Sequence, residues 1–334
     1  MMEMPLGQLM RMAHEMRIRR FPGNLVTFVY DTNPNYTNIC VTSCAFCAFC
    51  RKPGDPDAYL DSPKQVAEKV KRAADMGATT VLIQGGHHPE IRLQNWIAYI
   101  RAIGKACPDI HIHPFSPAEY VFMAKQEKTG VEAILKAVWE EGIRTIPGGG
   151  AEILTETVRR VIAGKKATSE QWLDVCETAH DIGFRTTATM MFGHVETDKD
   201  IIEHLFKLRD LQDRTGGFTS FIPWSFKPGN TPLAVKVKQA VHPAKYVRII
   251  AVARLVLDNF SHIQSSWFSE SIPAGQLGLL AGADDFGGVL VEENVLMEAG
   301  HERNTTLDHV LTIIRKAGFK PAQRDSGYRI LKVF

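Results

Sequence analysis

Apolar and polar positions along the chain follow two alternating rhythms. Short runs rich in β-branched and aromatic residues recur from about residue 26 to residue 295. They are VTFVY (26–30) followed by NIC near residue 39, TTVLIQ (79–84), IHIHPF (110–115) and RTIP (144–147). RTTATMMF (185–192), FTSFIPW (218–224), HIQSSW (262–267) and GVLVEE (288–293) continue the series. Runs of this length and composition predict strands. Between them lie stretches of helical period, such as 62–77, where Ser62 can cap and Gly77 can terminate. Others cover 170–183, 198–212 and 242–260, the last with Pro243 near its start. Residues 1–25 predict a helical lead-in. Residues 302–334 predict a helix and a closing strand pair near RILKVF.

Strands alternating with helices imply right-handed βαβ units and a parallel sheet. About eight such units favour an α/β fold, a (β/α)8 TIM-type barrel, closed or partly open, over a doubly wound sheet. No low-complexity linker or fixed-period repeat interrupts the chain. The expectation is one domain over 1–334: lead-in 1–25, barrel about 26–300 and C-terminal extension 301–334. Barrels of this kind place their active sites in the loops after the strands. Those loops carry the distinctive segments here: CVTSCAFC, QGGHHPE, IPGGGAE, FGHVET and IPWSFKPGN.

Composition narrows the setting. The 334 residues are 45% apolar and 23% charged, the mixture of a globular chain with a sizeable core. A net charge of +2 without single-sign runs argues against a nucleic-acid surface. No stretch approaches the roughly 18 apolar residues of a membrane span. The Met-rich start lacks the apolar core of a signal peptide, so a cytoplasmic location is expected.

Six cysteines occur, and four of them, Cys40, Cys44, Cys47 and Cys50, fall within eleven residues. Clustered thiols in such a chain point to metal rather than to disulfides. Cys107 and Cys176 read as ordinary buried residues. The spacing Cys40-x3-Cys44-x2-Cys47 places three thiolates on one short loop, able to ligate three irons of a [4Fe–4S] cluster. The fourth iron is then open to the amino and carboxylate groups of S-adenosylmethionine, whose cleavage yields a 5′-deoxyadenosyl radical. Phe46 fits a packing position against cluster and adenine, or plain core packing. The alternative is a zinc site with Cys50 as fourth ligand in a zinc-stapled binding module, although no second CxxC or His pair accompanies the loop.

The segments NYTNICVTSCAFCAF, LIQGGHHP, IPGGGAEIL, TTATMMFGHVET, FIPWSFKPGNTPLA and GADDFGGVLVEEN extend the match over nearly the whole chain, from about residue 20. Together they resemble the cyclic dehypoxanthine futalosine synthases of the radical S-adenosylmethionine superfamily. These are the radical cyclases of the futalosine route to menaquinone. The chain departs from that pattern at Cys50, where the family carries an aromatic residue. The aminofutalosine synthases and the deazaflavin-forming radical enzymes share much of the pattern and stay open as alternatives.

The resemblance implies dehypoxanthine futalosine as substrate and a low-potential electron donor such as flavodoxin or ferredoxin. It implies hydrogen abstraction at the ribose 4′ carbon, then addition of the carbon radical to the benzoate ring. Gly85 and Gly86 would approach the amino group of S-adenosylmethionine, which glycine permits because no Cβ intervenes. Ser116 is a candidate contact to its methionine portion. The Gly148–Gly149–Gly150 turn with Glu152 could sit beside ribose or a carboxylate. It is not a phosphate loop, since no Lys-Ser/Thr pair follows. His194, Glu196 and Glu152 are the candidates for the base that removes a ring proton. His87 and His88 could contact substrate or be merely solvated. Trp224, Trp267 and Phe268 could form aromatic walls for a benzoate ring. Asp284, Asp285, Glu292 and Glu293 read equally as solvated faces or helix caps. No G-x-S-x-G elbow and no G-x-G-x-x-G fingerprint competes with this reading.

Overall fold

The computed structural model describes residues 1–300 and 305–334; of Leu290, Glu292 and Glu293 it describes the backbone alone. The expected boundary at residue 301 falls outside the described residues. The strands are β1 (Leu25–Asn33), β2 (Thr80–Ile83), β3 (His111–Pro114), β4 (Thr145–Ile146) and β5 (Arg185–Phe192). They continue with β6 (Phe218–Ser225), β7 (His262–Ile263), β8 (Asp285–Glu293), β9 (Lys320–Arg324) and β10 (Ile330–Val333).

β8, β1, β2 and β3 form one parallel run, and β4, β5, β6 and β7 form a second. A parallel bridge between Gln264 and Asp285 joins β7 to β8. On the other side β3 lies beside β4 without a ladder among the described residues. Side chains stitch that seam instead: His111 Nε2 and His113 Nδ1 each lie 2.8 Å from the Thr145 hydroxyl. The result is the expected (β/α)8 barrel, open along one seam.

The helices begin and end where the chain's local chemistry dictates. Ser62 and Gln65 form a capping box on Pro63–Asp75, and Gly77 follows at φ +102°, a conformation that favours glycine. Thr168 with Gln171 and Thr197 with Asp200 cap the helices Ser169–Ile182 and Asp198–Thr215 in the same way. The lead-in is a helix over Leu6–Arg20, and Leu307–Lys316 is the helix expected before the closing pair.

That closing pair enters the sheet in an unforeseen place. β9 runs parallel to the first half of β1, Leu25–Val29, while β2 pairs with Asp31 and Thr32 farther along. Because β8 holds the other edge of β1, β9 and β2 share one edge in succession. β10 folds back antiparallel on β9. Arg324, at the end of β9, donates to Asp285 at 2.8 Å, and Arg254 pairs with Asp284, all four buried. Asp284 and Asp285 are therefore interior ion-pair partners and neither solvated nor capping. The side chains of Glu292 and Glu293 lie outside the described ones.

NIC forms no strand. After β1 the segment makes only single bridges, Thr37 to Leu60 and Ile39 to Arg51. Pro34 removes a ladder donor, and the asparagine amides bond backbone elsewhere. Asn35 donates to Gln84 O at 3.1 Å and Asn38 to Asp57 O at 2.9 Å. No helix among the described residues is long and apolar enough to cross a membrane.

Candidate active site

The C-terminal ends of the strands open onto a cavity of about 450 Å³. The cysteine loop forms one side of it, with Cys40, Cys44, Cys47 and Cys50 all on the wall. Ser43 turns the loop with φ +51°, and Cys47 N–H donates to Cys44 O at 3.1 Å, so the chain reverses between the two thiols. The loop is tied to the segment after β2: Gly86 N–H donates to Thr37 O at 2.9 Å and Val41 N–H to His87 O at 3.1 Å.

None of the six cysteines forms a disulfide. Burial pushes the Cys44 thiol up to about 12 and raises Cys47 as well. Cys40 moves the other way, down to about 4, because the Cys50 thiol donates to it and His87 stands nearby. Cys44 and Cys47 held this way stay protonated until a cation displaces the proton, whereas Cys40 is already poised as a thiolate. Among the described residues, no group of three or more His, Cys, Asp or Glu side chains converges as a cage for one metal ion. A cubane asks for no such convergence, since its protein ligands bind separate irons. Cys40, Cys44 and Cys47 could hold such a cluster.

Gly85 and Gly86 line the cavity, and the protein around them already requires glycine there. A Cβ on Gly85 would lie 2.6 Å from the Tyr36 ring, and one on Gly86 would lie 2.2 Å from Ile39 O. The glycine pair is the surface on which the cysteine loop rests. Ser116 also lines the cavity, as the cap of helix Pro117–Glu127, with its hydroxyl donating to Glu119 Oε2 at 2.7 Å.

Glu119 was not singled out from the sequence, and it organises this side of the site. Its carboxylate accepts from Ser116 N–H at 2.7 Å, Gly85 N–H at 3.2 Å and the Tyr36 hydroxyl at 3.3 Å. Burial pushes it up to about 6 against those hydrogen bonds. The signal was present: Ser116-Pro-Ala-Glu119 directly after a strand is a capping-box spacing.

Glu152 sits on the wall at φ +46° and accepts from Lys166 Nζ at 2.7 Å. Lys166 is held protonated by Glu152 and the neighbouring Cys44 despite its burial. Its ammonium also lies 5.5 Å from the centre of the Phe46 ring. Phe46 thus packs between cysteine loop and cation, on the cavity wall. Lys166 carried no sequence signal.

His194 and Glu196 do not reach the cavity. Their side chains are 0% and 1% exposed. Glu196 accepts from the backbone N–H of Gly193 and His194 at 2.7 and 2.8 Å. Val195 N–H donates to His194 Nδ1 at 2.8 Å, leaving Nε2–H, in the assigned tautomer, to Met191 O at 3.1 Å. Burial lowers His194 further, so this ring is neutral with both nitrogens engaged. The two residues lock the loop after β5, and neither can act as the base.

His87 and His88 are buried rather than solvated. The Thr42 hydroxyl lies 2.7 Å from His87 Nδ1, and the ring stacks on Phe122 at 4.7 Å. Burial pushes His87 down to about 4. His88 Nδ1 accepts from Glu90 N–H at 3.1 Å. Trp224, Trp267 and Phe268 do line the cavity, joined by Phe286 and Ile222. Polar groups carried by β1 and β2 line the same cavity.

An α/β barrel with a three-cysteine loop at the mouth of its cavity defines a class of radical enzymes. The chain belongs to the radical SAM superfamily, whose family model matches residues 34–208. Residues 215–334 match the model described as the CofH/MqnC C-terminal region. Its cofactors are a [4Fe–4S] cluster and S-adenosylmethionine. Among curated relatives, it is 40% identical to the 5-amino-6-(D-ribitylamino)uracil--L-tyrosine 4-hydroxyphenyl transferase of Methanopyrus kandleri, over 98% of this chain and 90% of that protein. It is 39% identical to the cyclic dehypoxanthine futalosine synthase of Streptomyces coelicolor, over 98% and 83%. Among solved structures, methylornithine synthase superposes with a TM-score of 0.73 at 18% identity, over 95% of this chain and 89% of that one.

Proposed function

We propose that this chain is a radical cyclase that converts dehypoxanthine futalosine to its cyclic form on the route to menaquinone. The observation that supports this best is one cavity lined by the cysteine loop, by the aromatic side chains Trp224, Trp267 and Phe268, and by polar groups of β1 and β2. Cys40, Cys44 and Cys47 are the proposed cluster ligands, with Cys50 a neighbour outside the ligand set. When bound, the cluster and S-adenosylmethionine supply a 5′-deoxyadenosyl radical.

The chain's own residues then position and enclose. The substrate's ribose 4′ carbon would give up one hydrogen atom, and its carbon radical would add to the benzoate ring. That ring would then lose a proton to a base and one electron to the redox couple that started the reaction, so that the product is two hydrogens lighter. Trp224, Trp267 and Phe268 would hold that ring, because an aromatic wall fixes a planar group and excludes water. Glu119 fixes the glycine pair and Ser116 relative to one another. Lys166 offers a cation beside Cys44, suited to a carboxylate of a ligand near the loop. A reactive radical takes whichever hydrogen it meets first, so placement decides the product.

A second reading has support in the relatives named as 4-hydroxyphenyl transferases, which match as well as the cyclases. In it, the same cavity would take tyrosine and 5-amino-6-(D-ribitylamino)uracil. An anaerobic assay with cluster-loaded protein, reductant and S-adenosylmethionine separates the two. Dehypoxanthine futalosine converted to a product two hydrogens lighter, with 5′-deoxyadenosine released, supports the cyclase. Turnover only with tyrosine and the ribitylaminouracil rejects it.

A further inference from the structure

Most polar groups on the cavity wall are already engaged. Glu152 holds Lys166, Glu119 holds Ser116 and Gly85, and Arg324 holds Asp285. Among the buried wall atoms without a hydrogen-bond partner within the described residues, which include Ser220 Oγ and Tyr328 Oη, three lie together on β1 and β2: Asp31 Oδ1, Asn33 Oδ1 and Thr80 Oγ1. All three residues line the cavity. Buried polar atoms without partners are rare in folded chains, and a cluster of three on one surface calls for a ligand.

The three come from adjacent strands and one face. Asp31 and Asn33 are two apart on β1, so their side chains leave the same side of the sheet. Thr80 is the register partner of Asp31 on β2. Thr80 opens β2 whereas Gly85 follows its end, so the trio lies deeper in the barrel than the glycine pair. It is therefore a layer below the cysteine loop that rests on that pair.

Their chemistry selects a class of ligand. Two oxygen acceptors and a hydroxyl complement neighbouring hydroxyl groups, each of which can donate to one partner and accept from another. A ligand carboxylate would bring only acceptors against Asp31 and Asn33. An aromatic ring is better accommodated by Trp224, Trp267 and Phe268. Burial and the Asp285 carboxylate push Asp31 up to about 7 despite Arg324, so near neutrality the carboxyl can donate as well as accept.

We propose that Asp31, Asn33 and Thr80 form the subsite for the hydroxyl-bearing pentose segment of the substrate and thereby set which of its carbons is presented toward the cysteine loop. This deepens the radical-cyclase reading and rests on it. The same hydroxyl chemistry has three sources: the ribose of dehypoxanthine futalosine, the ribityl chain of 5-amino-6-(D-ribitylamino)uracil, and the ribose of S-adenosylmethionine.

Equilibrium dialysis on anaerobic, cluster-loaded, unreduced protein measures the affinity for each without turnover. Asp31→Leu and Thr80→Val remove the polar atoms with little change of shape. In each, affinity for the pentose ligand that the wild type binds falls about ten- to a hundredfold. Affinity for S-adenosylmethionine and iron content hold, the thermal midpoint does not fall, and Asp31→Asn recovers most of the lost pentose affinity. Unchanged pentose affinity in whichever variant folds overturns the subsite and leaves the cyclase reading standing. A matching fall in S-adenosylmethionine affinity also overturns it, by giving the trio to the cofactor's ribose. A wild type that binds only the ribitylaminouracil, with that affinity lost in the variants, keeps the subsite and overturns the cyclase. A wild type that binds neither substrate overturns both.

Discussion

Lys166 Nζ donates to Glu152 Oε1 at 2.7 Å within the wall that also carries Cys44 and Phe46. The pair places one positive charge next to a loop of sulfurs that become anionic when metal binds. Glu152 can keep that charge in place only while both groups are present. Its left-handed backbone at φ +46° shows how closely the turn after Gly150 constrains it.

Removing one member should therefore cost more than removing both. Lys166→Met leaves Glu152 buried without its cation, an expected loss of about 3 kcal/mol in the metal-free protein. The double variant Lys166→Met with Glu152→Gln should regain much of it, since no charge is stranded. Chemical denaturation of the four proteins completes the cycle. Additive losses would show that the two side chains act independently.

The cysteine loop makes a sharper division. Cys40→Ala, Cys44→Ala or Cys47→Ala should lose most iron and sulfide after anaerobic reconstitution, together with all turnover. Cys50→Ala should retain both, because Cys50 reaches the loop as a donor, its Sγ 3.3 Å from Cys40 O. Iron and sulfide analysis of the four variants decides. Loss of the cluster in Cys50→Ala would make Cys50 a ligand.

What could be read from the sequence was local. Ser62, Thr168 and Thr197 announced their helices through side-chain caps, and β5 and β6 through long β-branched runs. β4 and β7 keep only two residues each, because the chain turns into loops whose side chains carry the site. The parallel seat of β9 beside β1 joins residues almost 300 apart, and no local pattern encodes it. Within the site, the cysteines and glycines were legible because spacing and residue type carry their chemistry. His194 and Glu196 misled for a related reason: a polar pair after a strand looks the same whether it faces a ligand or closes its own loop. Asp31 was visible as one acid in an apolar run, but only the cavity shows that its Oδ1 has no partner.

Glycines in the chain separate into needed and replaceable ones. Gly86→Ala would drive a Cβ to 2.2 Å from Ile39 O, backbone of the cysteine loop, so the loop must shift. A loss of about 2 kcal/mol and reduced cluster uptake are expected. Gly104 lies within helix Leu93–Ala106, and a Cβ added there would meet nothing within 4 Å. Gly104→Ala should stabilise by about 0.5–1 kcal/mol with cluster uptake unchanged. Thermal melts and iron content of both variants check the contrast, and similar shifts in the two would refute it.

Asp31 also writes itself into the pH dependence of stability. Its carboxyl rises from 3.8 to about 7 on folding, first because of burial and further because of Asp285, with Arg324 opposing. Between those values the folded chain binds more protons than the unfolded one. Stability must then fall as pH rises through that window and level off above it. Each tenfold change in proton affinity is worth about 1.4 kcal/mol, and water reaching the cavity screens part of it, so a loss of roughly 2 kcal/mol is expected. Asp31→Asn removes this titration while Arg324 and Asp285 stay in place. Denaturation of metal-free wild type and variant from about pH 4.5 to about pH 8 should show the variant gaining on the wild type as pH rises. Parallel curves would mean that Asp31 is already ionised at low pH, with a partner for the oxygen that now has none.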